Sequence, residues 1–267
     1  MNKIDLSYLN WSKSRKTSGT AGSFLKAYDD TGIEKKYYKL SNYDSLNGIT
    51  GHECINEIIV DRLLDIFGFE HLHYELLFAD IIIDDKAYET YLCCSNDFKK
   101  NSERKIEIDT YYQFSKKDNE TLLDYCIRMG FEKQIYQMIV IDFIICNRDR
   151  HGANIELLKD NKGKIRLAPL FDHGLSLFFN IQCFDELKDV DYLKDNKVQS
   201  FIGGSSLFEN LELINKNKLP KLNGLTAKDK KYLFEDIDEI MPQIWVESVW
   251  KLINERIKYY EDFCAKK

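Results

Sequence analysis

The sequence predicts an α+β fold of two lobes, a β-rich first lobe over residues 1–97 and a mainly helical second lobe over residues 98–267. Three observations carry this expectation. Short apolar runs separated by turn clusters dominate the chain up to Cys94, with one helical stretch among them. Polarity then rises sharply from Ser95 through Arg104, where Asn96, Asp97, Lys99, Lys100 and Asn101 crowd together, which marks a boundary. Beyond it the apolar residues recur at helical spacing, most densely over residues 133–146.

The elements follow in order. Residues 23–28 and 36–40 flank Asp29-Asp30-Thr31-Gly32, a turn-rich cluster, and read as a hairpin. Residues 52–67 read as a helix, because Ile55, Ile58, Ile59, Leu63 and Ile66 fall on one face and Gly68 suits its C-terminal cap. Strands are expected over residues 74–83 and 87–94, with Asp84-Asp85 as their turn. In the second lobe, helices are expected over 119–129 and 133–146, the latter as the core of the lobe. A hairpin follows, built from 155–158, a turn at 159–163, and 164–171. The tail predicts helices over 228–240 and 245–263.

Composition narrows the function. The chain has 267 residues, 44% of them apolar, enough to bury a sizeable core in one or two domains. The formal net charge is −6, opposite to the basic footprint of a nucleic-acid binder, so direct nucleic-acid binding is not expected. Cys54, Cys93, Cys94, Cys126, Cys146, Cys183 and Cys264 are odd in number and irregular in spacing, with no C-x-x-C pair. Reduced thiols in a cytoplasmic protein are the expectation. The first residues carry Asp5, Lys13, Arg15 and Lys16 with no long apolar run, so no secretory signal is read, although export without a signal stays open. No run of apolar residues is long enough to span a membrane.

The segment that carries chemistry begins where the apolar helix stops. Asn147-Arg148-Asp149-Arg150-His151-Gly152-Ala153-Asn154 is polar, the hairpin follows, and Asp172-His173-Gly174 closes the run. Asn154 stands at the start of the first hairpin strand and Asp172 at the end of the second, so the hairpin brings two oxygen-bearing side chains together with Asp149 just before them. Hard oxygen ligands suit Mg²⁺. The order matches the second half of a kinase site, with a loop Asp that orients the attacking hydroxyl, an Asn five residues on, and an Asp before a Gly at the metal. D-x-x-x-x-N and D-x-G are each common by chance. Their order and the hairpin between them give the signal its weight. His151 and His173 have no third ligand at metal spacing, which points away from zinc at that motif. Arg150 calls for a carboxylate or phosphate partner that spacing alone does not identify.

The first lobe must then supply a phosphate loop, a lysine and a glutamate. Ser18, Gly19, Thr20, Ala21, Gly22 and Ser23 precede the first hairpin, and small residues let backbone N–H groups approach phosphate. The segment is neither a Walker A motif nor a full G-x-G-x-x-G, and a polar entry loop would look similar. Lys39 lies on the return strand, with Lys26, Lys35 and Lys36 as competitors. Glu53 and Glu57 share nearly the same face of the following helix.

These motifs resemble the HipA-like serine/threonine kinases of bacterial toxin–antitoxin systems. The resemblance is carried by Asn147-Arg148-Asp149-Arg150-His151-x-x-Asn154, by Pro169-Leu170-Phe171-Asp172, and by the helix that runs from Asn56-Glu57 to Gly68. It implies a protein-kinase-like fold, with ATP and Mg²⁺ as cofactors. Asp149 becomes the catalytic base, Lys39 binds the phosphates with Glu57 as its partner, and Asn154 and Asp172 bind the metal. Residues 91–98, Cys93 and Cys94 among them, become the hinge whose backbone meets adenine. It further implies a protein substrate with a Ser/Thr acceptor, an antitoxin partner, and autophosphorylation of the loop at Ser18 or Thr20. With only residues 1–16 before the loop, the chain is most similar to the short stand-alone members, the Helicobacter-type secreted kinase among them. D-R-H-x-x-N also resembles phosphoinositide kinases. A lipid or small-molecule kinase, or a non-catalytic nucleotide-binding module, is therefore the alternative. Residues 175–204 should form the acceptor-side wall, and Asp185, Glu186, Asp189, Asp191 and Asp195 make it acidic, which suits a basic peptide.

Overall fold

The computed structural model describes residues 1–12 and 24–266. The loop over residues 17–23, with Ser18, Gly19, Thr20, Ala21, Gly22 and Ser23, lies outside the described residues. The first part of the chain builds a sheet around one helix. β1 (Lys3–Asp5) is followed by the expected hairpin of β2 (Lys26–Asp29) and β3 (Lys36–Lys39), then by the short pair β4 (Tyr43–Asp44) and β5 (Gly48–Ile49). Then come α1 (Glu53–Phe67), β6 (Glu75–Ile83) and β7 (Lys86–Asn96). The five strands lie in the order β1-β6-β7-β3-β2, antiparallel except for β1 beside β6. Asp84 and Asp85 turn β6 into β7 with φ of 49° and 62°, the doubly left-handed two-residue turn that matches strand twist and that Asp tolerates better than most residues.

The second part is mainly helical. β8 (Glu103–Glu107) leads into α2 (Ile108–Ser115), α3 (Leu122–Arg128) and α4 (Glu132–Ile145). β9 (Asp149–Arg150), β10 (Glu156–Asp160), β11 (Ile165–Leu167) and β12 (Gln199–Ser200) follow, and α5 (Leu207–Glu212), α6 (Ala227–Phe234) and α7 (Gln243–Lys266) complete the chain. β10 is central in a sheet of order β11-β10-β8, and β9 pairs in parallel with β12.

Burial explains the arrangement. α4 is buried on every side, from Ile135 through Ile145, as a helix apolar all round must be. α1, α4 and the Trp245–Val249–Leu252–Ile253–Ile257–Tyr260 stripe of α7 share one core. The opposite face of the five-stranded sheet has its own core, with Leu25, Tyr38, Leu40, Ile81, Leu92 and Cys94. No helix among the described residues is long and apolar enough to cross a membrane.

Several expectations are corrected. Strand structure reaches into both ends of the polar stretch 95–104, since β7 runs to Asn96 and β8, a strand not expected there, begins at Glu103. Charges are tolerated in β8 because Arg166 of the facing hairpin forks onto both carboxylate oxygens of Glu103, at 2.8 Å each. α2 was not foreseen. The helix expected over 228–240 stops at Phe234, and Asp236 takes a left-handed φ of 62°. The cysteines among the described residues are all free, as expected.

Candidate active site

β3 carries Lys39 in register with Cys93 of β7, and α1 packs beneath that sheet with Glu57 fully buried. A buried ammonium must be paired. Lys39 Nζ bonds Glu57 Oε1 at 2.5 Å and also bonds Asp172 Oδ1. Burial by itself would lower the Lys39 pKa, but the Asp172 and Glu57 carboxylates outweigh it and hold the ammonium above its ordinary value. Glu57 spends its other oxygen on the backbone N–H of His173, at 2.8 Å. The ambiguity between glutamates is thereby resolved, since Glu53 accepts instead from the backbone N–H of Asn42 at 3.1 Å. Lys26 pairs across the hairpin with Lys39, so the two lysines share a register position on neighbouring strands.

Gly174 stands at a close approach. A Cβ there would stand 3.2 Å from Glu53 Cβ and 3.3 Å from Lys39 Nζ, tight enough that α1 or the lysine would have to give slightly. Asn56, next to Glu57, donates from Nδ2 to the carbonyls of Gly174 and Ser176, both at 3.0 Å. It clamps the segment after Asp172 to α1. Asp172 itself takes φ of 61°, an uncommon conformation for a residue with a Cβ and one that concentrates at functional sites.

The loop after α4 is tied from below. Arg150, fully buried, forks onto Asp142 of α4, Nε to Oδ2 at 2.9 Å and Nη2 to Oδ1 at 2.7 Å. Its Nη1 donates to the Phe171 carbonyl at 2.9 Å and reaches the Asn154 carbonyl at 3.4 Å. One guanidinium thus joins α4, the loop and the residue before Asp172. The two ends of the hairpin lie side by side, with the Asn154 and Phe171 carbonyls sharing Arg150 Nη1 and the Ala168 N–H bonded to the Glu156 carbonyl at 2.8 Å. Asn147 completes the network, donating to Asp142 Oδ1 at 2.8 Å and accepting from the Asp149 N–H at 3.2 Å. Asp142 and Asn56 are the positioning residues that the sequence reading missed. Asp142 had a signal, since one carboxylate inside Ile139-Val140-Ile141-Asp142-Phe143-Ile144-Ile145 must be paired when buried.

Asp149 is half-buried. Its Oδ1 is buried without a hydrogen-bond partner, and Oδ2 lies 3.7 Å from His151 Nε2. Burial raises its pKa, and the Asp172 charge adds to this, while His151, Arg150 and Lys39 oppose it. Asn154 donates from Nδ2 to the Asp149 carbonyl at 3.0 Å, so that its Oδ1 is the atom that could face a ligand. The site thus holds an orphaned carboxylate oxygen on Asp149, a second carboxylate on Asp172 and the Asn154 amide oxygen, a donor set that fits a hard divalent cation.

Above the Lys39 pair opens a cleft of about 530 Å³, within the range of small-molecule sites, lined among others by Ala27, Lys39, Cys93, Phe98, Phe171 and Asp172. Phe98 and Phe171 meet there as a tilted pair with centroids 5.4 Å apart. Of the two hinge cysteines, only Cys93 lines this cleft. Cys94 points to the opposite face and packs in the outer core, because strand side chains alternate. The backbones of both are held in the ladders with β6 and β3, whereas Ser95, Asn96, Asp97 and Phe98, which also line the cleft, lie beyond the pairing with β6. In the segment expected to form the acceptor-side wall, Asp185, Glu186, Asp189, Asp191 and Asp195 are all exposed, and β12 seats this segment beside β9.

No family model matches the chain. A curated relative, phosphatidylinositol 4-kinase gamma 4 of Arabidopsis thaliana, is 42% identical over 45 residues, which is 17% of this chain and 8% of that protein's length. Among solved structures, the Helicobacter pylori proinflammatory kinase CtkA superposes with a TM-score of 0.60 at 16% identity, over 99% of this chain and 98% of that one. HipA of Shewanella oneidensis MR-1, from its complex with HipB and operator DNA, superposes with a TM-score of 0.54 at 13% identity, over 96% of this chain and 68% of that one. The chain therefore has the two-lobed, kinase-like fold of the CtkA and HipA structures, in agreement with the resemblance to HipA-like kinases read from its motifs.

Proposed function

We propose that this protein is an ATP- and Mg²⁺-dependent serine/threonine protein kinase of HipA-like type. The observation that carries the reading is the Lys39 ammonium bonded at once to Glu57 and Asp172. Bound Mg²⁺–ATP supplies the transferable γ-phosphoryl group with its charge neutralised. Lys39, oriented by Glu57, binds phosphate oxygens. Asn154 and Asp172 hold the metal. Asp149 accepts the proton of the acceptor hydroxyl as its oxygen bonds to phosphorus and the bond to ADP breaks, and burial tunes this carboxylate toward proton uptake. Asp97 and Phe98 flank the adenine end. The exposed acidic wall favours a basic acceptor peptide. Ser18 and Thr20 are the proposed autophosphorylation sites, and an antitoxin-like protein is the proposed regulatory partner.

The short match to a phosphatidylinositol 4-kinase favours a second reading, a lipid kinase on the same fold. Incubation with radiolabelled ATP, followed by mass spectrometry, separates the two. Label on Ser18, Thr20 or a basic peptide, lost at least about 100-fold in Asp149→Ala, supports the first reading. Label only in phosphoinositide vesicles supports the second. Undiminished transfer by Asp149→Ala removes the assigned base.

A further inference from the structure

The far end of α1 gathers four side chains that the phosphotransfer reading leaves unused. Asp61 and Asp65, one turn apart, project from one face of the helix. The chain turns at Gly68 and returns past them with His71 and His73, two residues apart and edge-on to each other at a centroid distance of 4.4 Å. His71 Nε2 lies 3.1 Å from Asp61 Oδ1 and 3.7 Å from Asp65 Oδ1. His73 Nδ1 lies 3.4 Å and 3.9 Å from the same two oxygens. One donor atom from each of the four falls within 4.8 Å of all the others.

The tautomer of His71 follows from its other nitrogen. Nδ1 stands 2.7 Å from the Phe69 carbonyl, which only accepts, so Nδ1 carries the hydrogen. In the neutral ring, Nε2 then presents a lone pair to two carboxylates. The His71 side chain is 3% exposed, and Nε2 makes no hydrogen bond although Asp61 Oδ1 is close. A backbone carbonyl on the far nitrogen is the arrangement that orients metal-binding histidines. The carboxylates are also braced: Asp61 Oδ1 accepts from the Tyr74 N–H at 3.2 Å, and Asp65 Oδ2 accepts from the Tyr232 hydroxyl at 3.0 Å. A proton on His71 would satisfy one nitrogen and leave His73 and Asp65 facing each other. A tetrahedral cation with bonds of about 2.0–2.1 Å, whose ligand atoms sit about 3.3 Å apart, would satisfy all four. Two imidazoles with two carboxylates select a transition metal over Mg²⁺ or Ca²⁺.

We propose that Asp61, Asp65, His71 and His73 form a tetrahedral zinc-type site that clasps the C-terminal half of α1 to the segment following it. Asp61 lies one turn beyond Glu57 on α1. The clasped segment is zipped to the strand entering Asp172, with the Leu72 N–H on the Leu170 carbonyl at 2.8 Å and the Asp172 N–H 3.5 Å from the Tyr74 hydroxyl. The metal therefore braces the helix that carries Glu57 and the approach to Asp172 from outside the cleft.

The test uses the full chain and needs no phosphotransfer, so its failure is separable from failure of the kinase reading. After equilibration with Zn²⁺ and desalting, one equivalent is expected by elemental analysis, with a Tm that rises on Zn²⁺ addition and falls with EDTA. Co²⁺ in its place should give the intense visible absorption of a tetrahedral site. His73→Ala, whose side chain is 71% exposed, should fold normally and bind Co²⁺ at least about tenfold more weakly. Asp65→Asn should weaken binding likewise, and Asp172→Asn should leave the spectrum unchanged. Sub-stoichiometric metal without that spectrum overturns the site, as does unaltered affinity in His73→Ala or loss of the signal in Asp172→Asn. A Tm that responds to pH but to neither Zn²⁺ nor EDTA assigns the position to a proton instead.

Discussion

Lys39, Glu57, Asp142 and Arg150 are charged groups held out of water, and each persists because a specific opposite charge meets it. Fully desolvated ions are costly to isolate, so each pair acts as a fixed joint. Lys39 joins the sheet to α1 and Asp172, and Arg150 joins α4 to the loop and Phe171. His52 shows the opposite solution. It is buried at the start of α1, with Nε2 3.0 Å from the Phe178 carbonyl and its ring edge-on to Trp245 at 5.1 Å. Burial lowers its pKa to about 4, only partly offset by the Phe178 carbonyl. The unfolded chain takes up a proton at this residue below about pH 6.5, whereas the folded chain resists until about pH 4, so stability falls as pH drops through that window. The expected slope from this residue is up to about 1.4 kcal/mol per pH unit. Urea unfolding at several pH values should show it, and His52→Phe should flatten it. An unchanged slope in that variant would assign the effect elsewhere.

At the scale of elements, the long and strongly patterned ones were legible. α1 lies within the expected 52–67 and ends at the expected glycine, α4 runs over 132–145, and the hairpin around Asp84-Asp85 turns where two acidic residues allow it. β1, β8 and α2 were not foreseen. β1 has three exposed residues, and β8 is a run of charged side chains whose strand form depends on β10 and Arg166, partners distant in sequence. Capping gives a clean test of local conformation. Gly68 has φ of 65° and nothing near the position of a Cβ, so Gly68→Ala adds backbone strain without a clash. A loss of roughly 1–2 kcal/mol in denaturant unfolding is expected. A neutral result would mean that the turn leading to His71 relaxes freely.

At the scale of the whole molecule, the cleft lies where the five-stranded sheet meets the strand entering Asp172, and Lys39 is the point of contact between them. Mg²⁺–ATP at one hundred times its Kd should stabilise the fold by about 2.7 kcal/mol. For a chain of this size that is a Tm rise of roughly 5–10 °C. In Asp172→Asn, the part of the rise that depends on Mg²⁺ should vanish while the effect of ATP alone persists, as read by thermal melts with and without EDTA. Equal Mg²⁺-dependent rises in both proteins would remove Asp172 from the metal.

The sequence by itself determined the lobed α+β class, the polar run after α4 and the candidate set Lys39, Asp149, Asn154 and Asp172. The class, the polar run and the set Asp149, Asn154 and Asp172 rest on local quantities, periodicity, turn chemistry and short spacings along the chain, whereas Lys39 was singled out among neighbouring lysines by the family resemblance. The resemblance had already pointed to Glu57 as the partner of Lys39, and only the tertiary structure decided that Asp142 is the partner of Arg150, that Cys94 turns away from the cleft, and that His71 and His73 return to Asp61 and Asp65. Each of these is a choice between groups of similar local character. It is settled by which face of a helix or strand is buried and by what stands opposite across many intervening residues, and neither is encoded in spacing.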